Sequence, residues 1–182
     1  MKRAALCLLA AAGSLLTACT DDVQDIYSDS QAFFRFDRVL TVPPLYTAVS
    51  NPGQFCTITF QSGQYYIFTD ARGNATTVPL TAAEQYYKPV FISGFIVGTP
   101  SVTDLSGNFP LLAFDLVCPD CDTYTSITRR LSFSSETTMR CSAGHEYDLN
   151  NSGLPAGGGA RQTLYRYRVY YNNTRQTLII QN

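Results

Sequence analysis

The feature that most constrains the fold is a two-residue period near the C-terminus. Tyr165, Tyr167, Val169 and Tyr171 alternate with Arg166, Arg168 and Tyr170, and Asn172-Asn173 then turns the chain into Thr177 to Ile180. Side chains alternate between the two faces of a strand, so this is a hairpin with one aromatic and one basic face. The same period appears upstream. Cys56, Ile58 and Phe60 share one face, Phe55, Thr57 and Thr59 the other, and Gln61 to Gln64 turns the chain back into Tyr65 to Thr69. Val90 to Val97 is a long apolar run broken by Gly94, which marks a bulge or a close backbone approach in a buried strand. Leu111 to Val117, Ile127 to Phe133 and Thr137 to Arg140 are further strand candidates. Thr81-Ala82-Ala83-Glu84 fits a capping box, but Pro79 and Pro89 bracket it and leave room only for a short helix. Short strands separated by turns predict an all-β domain, a sandwich or small barrel.

Composition narrows what such a domain does. With 45% hydrophobic and 15% charged residues the chain buries a core rather than staying disordered. A net charge of −1 makes tyrosines in the core and arginines in water a better reading of the hairpin than a nucleic-acid stacking face. No apolar run reaches the roughly 18 residues of a membrane-spanning helix. No G-x-S-x-G elbow is present, Gly157-Gly158-Gly159 precedes a strand rather than a helix, and no carboxylate pair stands out. The expectation is a protein without enzymatic activity.

The N-terminus carries an address. Lys2 and Arg3 precede the short apolar stretch Ala4 to Leu16, which reads as an export signal. Leu16-Thr17-Ala18-Cys19 then resembles the lipobox of bacterial lipoproteins. That resemblance implies removal of residues 1–18, diacylation of Cys19, and attachment to the cell outer membrane through the lipid. Asp21, Asp22, Asp25 and Asp29 carry no basic partner, so residues 19–32 read as an acidic tether that stays solvated, ahead of one domain over 33–182. Thr20-Asp21-Asp22 also resembles the acidic export signal of some surface lipoproteins, which leaves display at the surface or at the periplasmic face both open.

Four cysteines remain beyond Cys19. Cys56 alternates with core residues and reads as a buried thiol. Cys118-Pro119-Asp120-Cys121 is a C-x-x-C pair, followed after 19 residues by Cys141-Ser142-Ala143-Gly144-His145, which holds the chain's one histidine. Two short ligand pairs across such a gap have the layout of a ribbon-type metal site, so Cys118, Cys121, Cys141 and His145 are candidate ligands for zinc or iron. An exported chain meets an oxidising compartment, so disulfides or free thiols compete with that reading. Asp122 to Thr125 reads as continuing toward a strand. That argues against a thioredoxin-like pair, which needs a helix N-terminus to lower a thiol pKa.

The run Cys141 to Leu149, with Gly153, Gly159-Ala160, Leu164, Tyr167 and Val169, resembles the second half of Rieske-type domains, and Phe114 to Pro119 resembles the strand delivering their first ligand loop. The resemblance spans roughly Leu111 to Asn182. It implies a Rieske-like antiparallel fold with a ribbon-like ligand-loop subdomain and an iron–sulfur site. A Rieske cluster takes two histidines on one iron, and this chain has one in all. The expectation is therefore a degenerate member: an interaction or structural module holding one metal ion, or an electron carrier with a mononuclear iron or a 2Fe-2S cluster on non-standard ligands.

Overall fold

The computed structural model describes residues 26–61 and 63–182. The export signal, Cys19 and the first half of the acidic tether lie outside them. Among the described residues the chain forms twelve strands and three short α-helices. Strands β1 (Phe33–Phe36), β2 (Gln54–Gln61), β3 (Tyr65–Asp70), β4 (Ala75–Pro79), β5 (Phe95–Thr99), β6 (Leu112–Asp115), β11 (Arg166–Asn172) and β12 (Thr177–Gln181) build one antiparallel sheet. Its order is β1-β12-β11-β6-β5-β2-β3-β4, and it curls into a half-barrel. A second sheet, β10-β9-β8-β7, is made of β7 (Leu131–Phe133), β8 (Thr138–Cys141), β9 (Glu146–Asp148) and β10 (Leu154–Gly157). It is inserted, with everything else between Asp115 and Arg166, into the step from β6 to β11. The all-β expectation holds.

The alternation read from the sequence sorts the side chains into two cores on opposite faces of the large sheet. Cys56, Ile58, Phe95, Val97, Ala113 and Tyr167 point into the half-barrel and pack with Phe34, Phe36, Tyr66 and Phe68. Helix α1 (Pro43–Ser50) covers that side with Leu45 and Ala48. Their neighbours Phe55, Ile96, Leu112 and Phe114 point outward and pack with Cys118, Cys121, Leu131, Met139, Cys141 and Tyr147 of the insertion. Strands β5 and β6 are thus buried along their whole length, which is why Phe95–Val97 and Leu112–Phe114 are apolar on both faces.

Three local readings need adjusting. The apolar run from Val90 becomes a strand only at Phe95, Val90 itself making a lone bridge to Phe33. Gly94 has φ +133°, and a Cβ there would stand 2.7 Å from the Ile58 carbonyl oxygen, the close approach its position suggested. The strand expected over Ile127 to Phe133 shrinks to Leu131–Phe133. The end of the tether, expected in solvent, lies on the sheet. Arg168 stacks over the Tyr27 ring at 4.4 Å and Arg166 at 5.6 Å, Ser28 N–H donates to the Arg166 carbonyl, and Ala32 N–H donates to Asn182 Oδ1. An aromatic ring gains enough from a guanidinium to dock a segment that is otherwise acidic. Two other readings hold: α2 (Ala82–Tyr86) carries the complete Thr81–Glu84 capping box, and Tyr167 is buried while Arg168 is exposed.

Asp115 fixes the junction between sheet and insertion. Its fully buried carboxylate accepts the backbone N–H groups of Ile92, Ser93 and Val117 and the Tyr167 hydroxyl. Burial pushes this carboxyl above its ordinary range, against the pull of those donors. Asp115→Ala strands three N–H groups, those of Ser93 and Val117 buried and that of Ile92 partly so, and should lower unfolding free energy by about 3 kcal/mol. Asp115→Asn, which keeps an acceptor in place, should cost clearly less. Urea denaturation of the three proteins measures the difference.

Candidate metal centre

Residues 118 to 121 open a helix. Cys118 is the extended N-cap of α3 (Pro119–Thr125), Pro119 sits at its first position and Asp120 in its first turn. This corrects the expectation that Asp122 to Thr125 runs toward a strand. Thr-Tyr-Thr favours strands, but proline's fixed φ and an acid in the first turn start a helix. The Thr125 hydroxyl bonds back to the Cys121 carbonyl at 2.6 Å, and Ser126 at φ 51° ends the helix. The objection to a thiol pair at a helix N-terminus therefore falls, though all three clustered cysteines remain free thiols. Asp122, which could have set a carboxylate against the sulfurs, is turned away to accept from the Tyr165 hydroxyl at 3.1 Å.

The second pair sits on the β8–β9 turn. Gly144 N–H donates to the Cys141 carbonyl and Cys141 N–H to the His145 carbonyl, closing a tight loop. Arg140 and Glu146 pair across its base at 3.6 Å. The loop leaves no room above it, since a Cβ on Gly158 would stand 1.8 Å from the Gly144 carbonyl oxygen.

These two turns bring all four predicted ligands together, their donor atoms within 4.8 Å of one another. His145 Nδ1 stands 3.4 Å from Cys118 Sγ and 3.6 Å from the sulfurs of both Cys121 and Cys141. Cys121 and Cys141 sulfurs are 3.9 Å apart, far beyond the roughly 2.05 Å of a disulfide. An ion with Zn–S bonds near 2.3 Å and Zn–N bonds near 2.05 Å in tetrahedral geometry sets S···N at about 3.6 Å and S···S at about 3.8 Å. The donor set fits one such ion. The three cysteines are buried and His145 is half-buried, so the ring forms the outer wall. Cys56, expected in the core, is buried there as a free thiol and takes no part.

The environment prepares the sulfurs unequally. Burial raises the Cys118 thiol, and burial with the two neighbouring sulfurs pushes Cys121 up to about 12. Burial also acts on Cys141, but N–H groups of Ala143 and His145 aimed at its sulfur, and the other thiols beside it, bring it below the ordinary value. Cys141 is where thiolate forms first, and a cation makes up the charge that the other two need.

Sequence reasoning missed Asp120. Its carboxylate is 3% exposed and accepts the Tyr147 hydroxyl at 2.7 Å, Arg161 N–H at 3.0 Å and Gln162 N–H at 3.2 Å. Tyr147 in turn stands 3.2 Å from Cys118 Sγ. One carboxylate thus ties the first ligand turn, the strand after the second and the loop before β11 into one unit. The signal available was the Cys-Pro-Asp order, which marks a helix start with a carboxylate at its second position.

Removing that tie should loosen the ligands without deleting one. Asp120→Ala is expected to weaken metal binding about 10- to 100-fold, the usual effect of losing a group that orients ligands. Competition against a chromophoric chelator measures it.

Compared with known protein families, with curated proteins and with solved structures, the chain matches none. With no relative to carry a role across, the chemistry of these four side chains is what speaks to function.

Proposed function

We propose that the chain is a lipid-anchored envelope protein whose described domain is closed around a single tetrahedral zinc ion on Cys118, Cys121, Cys141 and His145. In this reading it is a non-enzymatic structural or interaction module with a degenerate Rieske-like fold. The carrying observation is the mutual spacing of the donors, with S···N distances of 3.4 to 3.6 Å and an S···S distance of 3.9 Å. Three thiolates and one imidazole are a common set for structural zinc, which needs no open coordination position. Donors divided between two irons stand farther apart across the cluster than donors sharing one ion, so the spacing favours one ion over a 2Fe-2S cluster. Arrival of the candidate ligands on a helix start and on one turn of a small sheet, both within an insertion between two strands of a larger sheet, supports the Rieske-like reading. The lipobox order ending at Cys19 supports the anchor.

A mononuclear iron in the same site, passing electrons at the envelope, is the second reading. It is favoured by the N–H groups directed at the Cys118 and Cys141 sulfurs, which tune iron–thiolate potentials, and by the half-buried His145 edge. Anaerobic purification from cells supplied with both metals separates the two. The expected result is colourless protein with one zinc per chain, and a melting temperature that falls by about 10 °C or more with chelator. Iron with visible charge-transfer bands would replace the first reading by the second, and absence of metal would remove both. Mass spectrometry of the membrane fraction tests the anchor separately, the expected product being a chain that begins at acylated Cys19.

A further inference from the structure

The arginines divide into two groups. Among the described residues Arg35, Arg38, Arg72 and Arg140 each pair with a carboxylate within 4.0 Å. Arg129, Arg130, Arg161, Arg166, Arg168 and Arg175 pair with none among the described residues. Arg130 is bonded to Ser93 Oγ and Arg175 sits in the β11–β12 turn, which leaves Arg129, Arg161, Arg166 and Arg168 in and beside the metal-bearing insertion. Arg129 donates to Ser142 Oγ beside Cys141, and Arg161 follows the Gly-rich turn and is fixed by its own N–H on Asp120. Arg166 stands opposite Phe114 in the β11–β6 register. Since Phe114 belongs to the core under the insertion, Arg166 and Arg168 flank the insertion on the same outer face of the sheet. The nearest exposed-side carboxylate on α3, Asp122, is engaged by Tyr165.

The tether leaves from this same place. Tyr27 stacks on Arg166 and Arg168, and Ser28 is hydrogen-bonded to Arg166. Seven residues lie between Cys19 and Tyr27, and the eight Cα-to-Cα steps span at most about 29 Å in any conformation. A chain anchored at Cys19 and pinned at Tyr27 therefore leaves the lipid from beside this face and keeps it within about 29 Å of the bilayer.

We propose that the Arg129–Arg161–Arg166–Arg168 face is a membrane-docking surface that binds anionic lipid headgroups and sets the metal-bearing insertion against the bilayer. The orientation rests on the lipid-anchor reading, whereas the headgroup binding does not. Each guanidinium offers a planar donor fork to phosphate, and a charge near an anionic bilayer gains most when no carboxylate neutralises it.

The test uses the full chain with Cys19→Ser, which has no acylation site, so failure of the anchor reading leaves it intact. Sedimentation is measured with phosphatidylcholine vesicles, and with vesicles in which about one lipid in three is phosphatidylglycerol. Binding is expected to the second only, and to vanish at high salt. Arg161→Gln, which keeps the N–H that Asp120 needs, should weaken it about fivefold with metal content and melting temperature unchanged, and Arg168→Gln should weaken it as much with metal content unchanged. Arg35→Gln removes the same charge from an ion-paired site and should leave binding as it was. Absence of binding would overturn the proposal, as would an equal loss with Arg35→Gln. Binding that appears only after Asp21, Asp22 and Asp25 are changed to Asn would also overturn it, assigning the arginines to the chain's own acidic segment.

Discussion

Two-sided burial of β5 and β6 is the condition on which the rest of the structure depends. Every residue of these strands is buried, so each face must be covered by something. Curling of the sheet and helix α1 cover the inner face with a dense set of aromatic contacts. The outer face is covered by the insertion, whose strands are three or four residues long. A unit that small cannot bury enough apolar surface to hold itself. It shares the outward side chains of the large sheet, Phe55, Ile96 and Phe114, and it draws its ligand turns together at Cys118, Cys121, Cys141 and His145. The site and the core beneath it are one packing problem, because the three cysteines are core residues as well as donors.

Electrostatics at this junction follow the same logic. Two buried carboxylates, Asp115 and Asp120, stand at the two ends of the short link between β6 and α3. Neither is ion-paired within the described residues. Each is held by backbone N–H groups and one tyrosine hydroxyl, Tyr167 for Asp115 and Tyr147 for Asp120. Buried backbone donors need acceptors wherever the ladder is interrupted. Both carboxylates serve segments that have left the sheet, at 92–93 and at 161–162. They orient loops that no strand pairing orients, and one of those loops delivers the chain into β11.

Elements with an unbroken two-residue period were legible in the sequence, because alternation reports burial directly. The β2–β3 and β11–β12 hairpins emerge as read. The cluster of four candidate donors was legible through spacing alone, since each pair is local in sequence, one at a helix start and the other on a tight turn. Helix α3 was not, because Thr123-Tyr124-Thr125 has strand propensity and the helix is fixed by its first two positions and by packing. Asp120 was hidden for the same reason: its partners at 147, 161 and 162 are distant in sequence, and no local pattern announces a long-range acceptor. Docking of Tyr27 escaped notice because the net charge of the acidic segment outweighed its one ring.

The position of Tyr147 makes the hydrogen-bond chain at Cys118 direction-sensitive. A tyrosine hydroxyl has one proton, and it stands 2.7 Å from Asp120 and 3.2 Å from Cys118 Sγ. With a neutral thiol at Cys118, the hydroxyl gives its proton to the carboxylate and accepts from S–H, so both contacts are satisfied. A thiolate has no proton to offer, and then one hydroxyl faces two anions. Burial and those two neighbours accordingly hold Tyr147 firmly in its protonated form. A cation on the sulfurs removes much of the thiolate's demand for that proton and leaves it with Asp120, where it keeps α3 fixed to β9. The donor cluster and the carboxylate that braces it are thus compatible in two states, Cys118 as a neutral thiol or as a metal-bound thiolate. A naked thiolate at Cys118 is the state this arrangement disfavours.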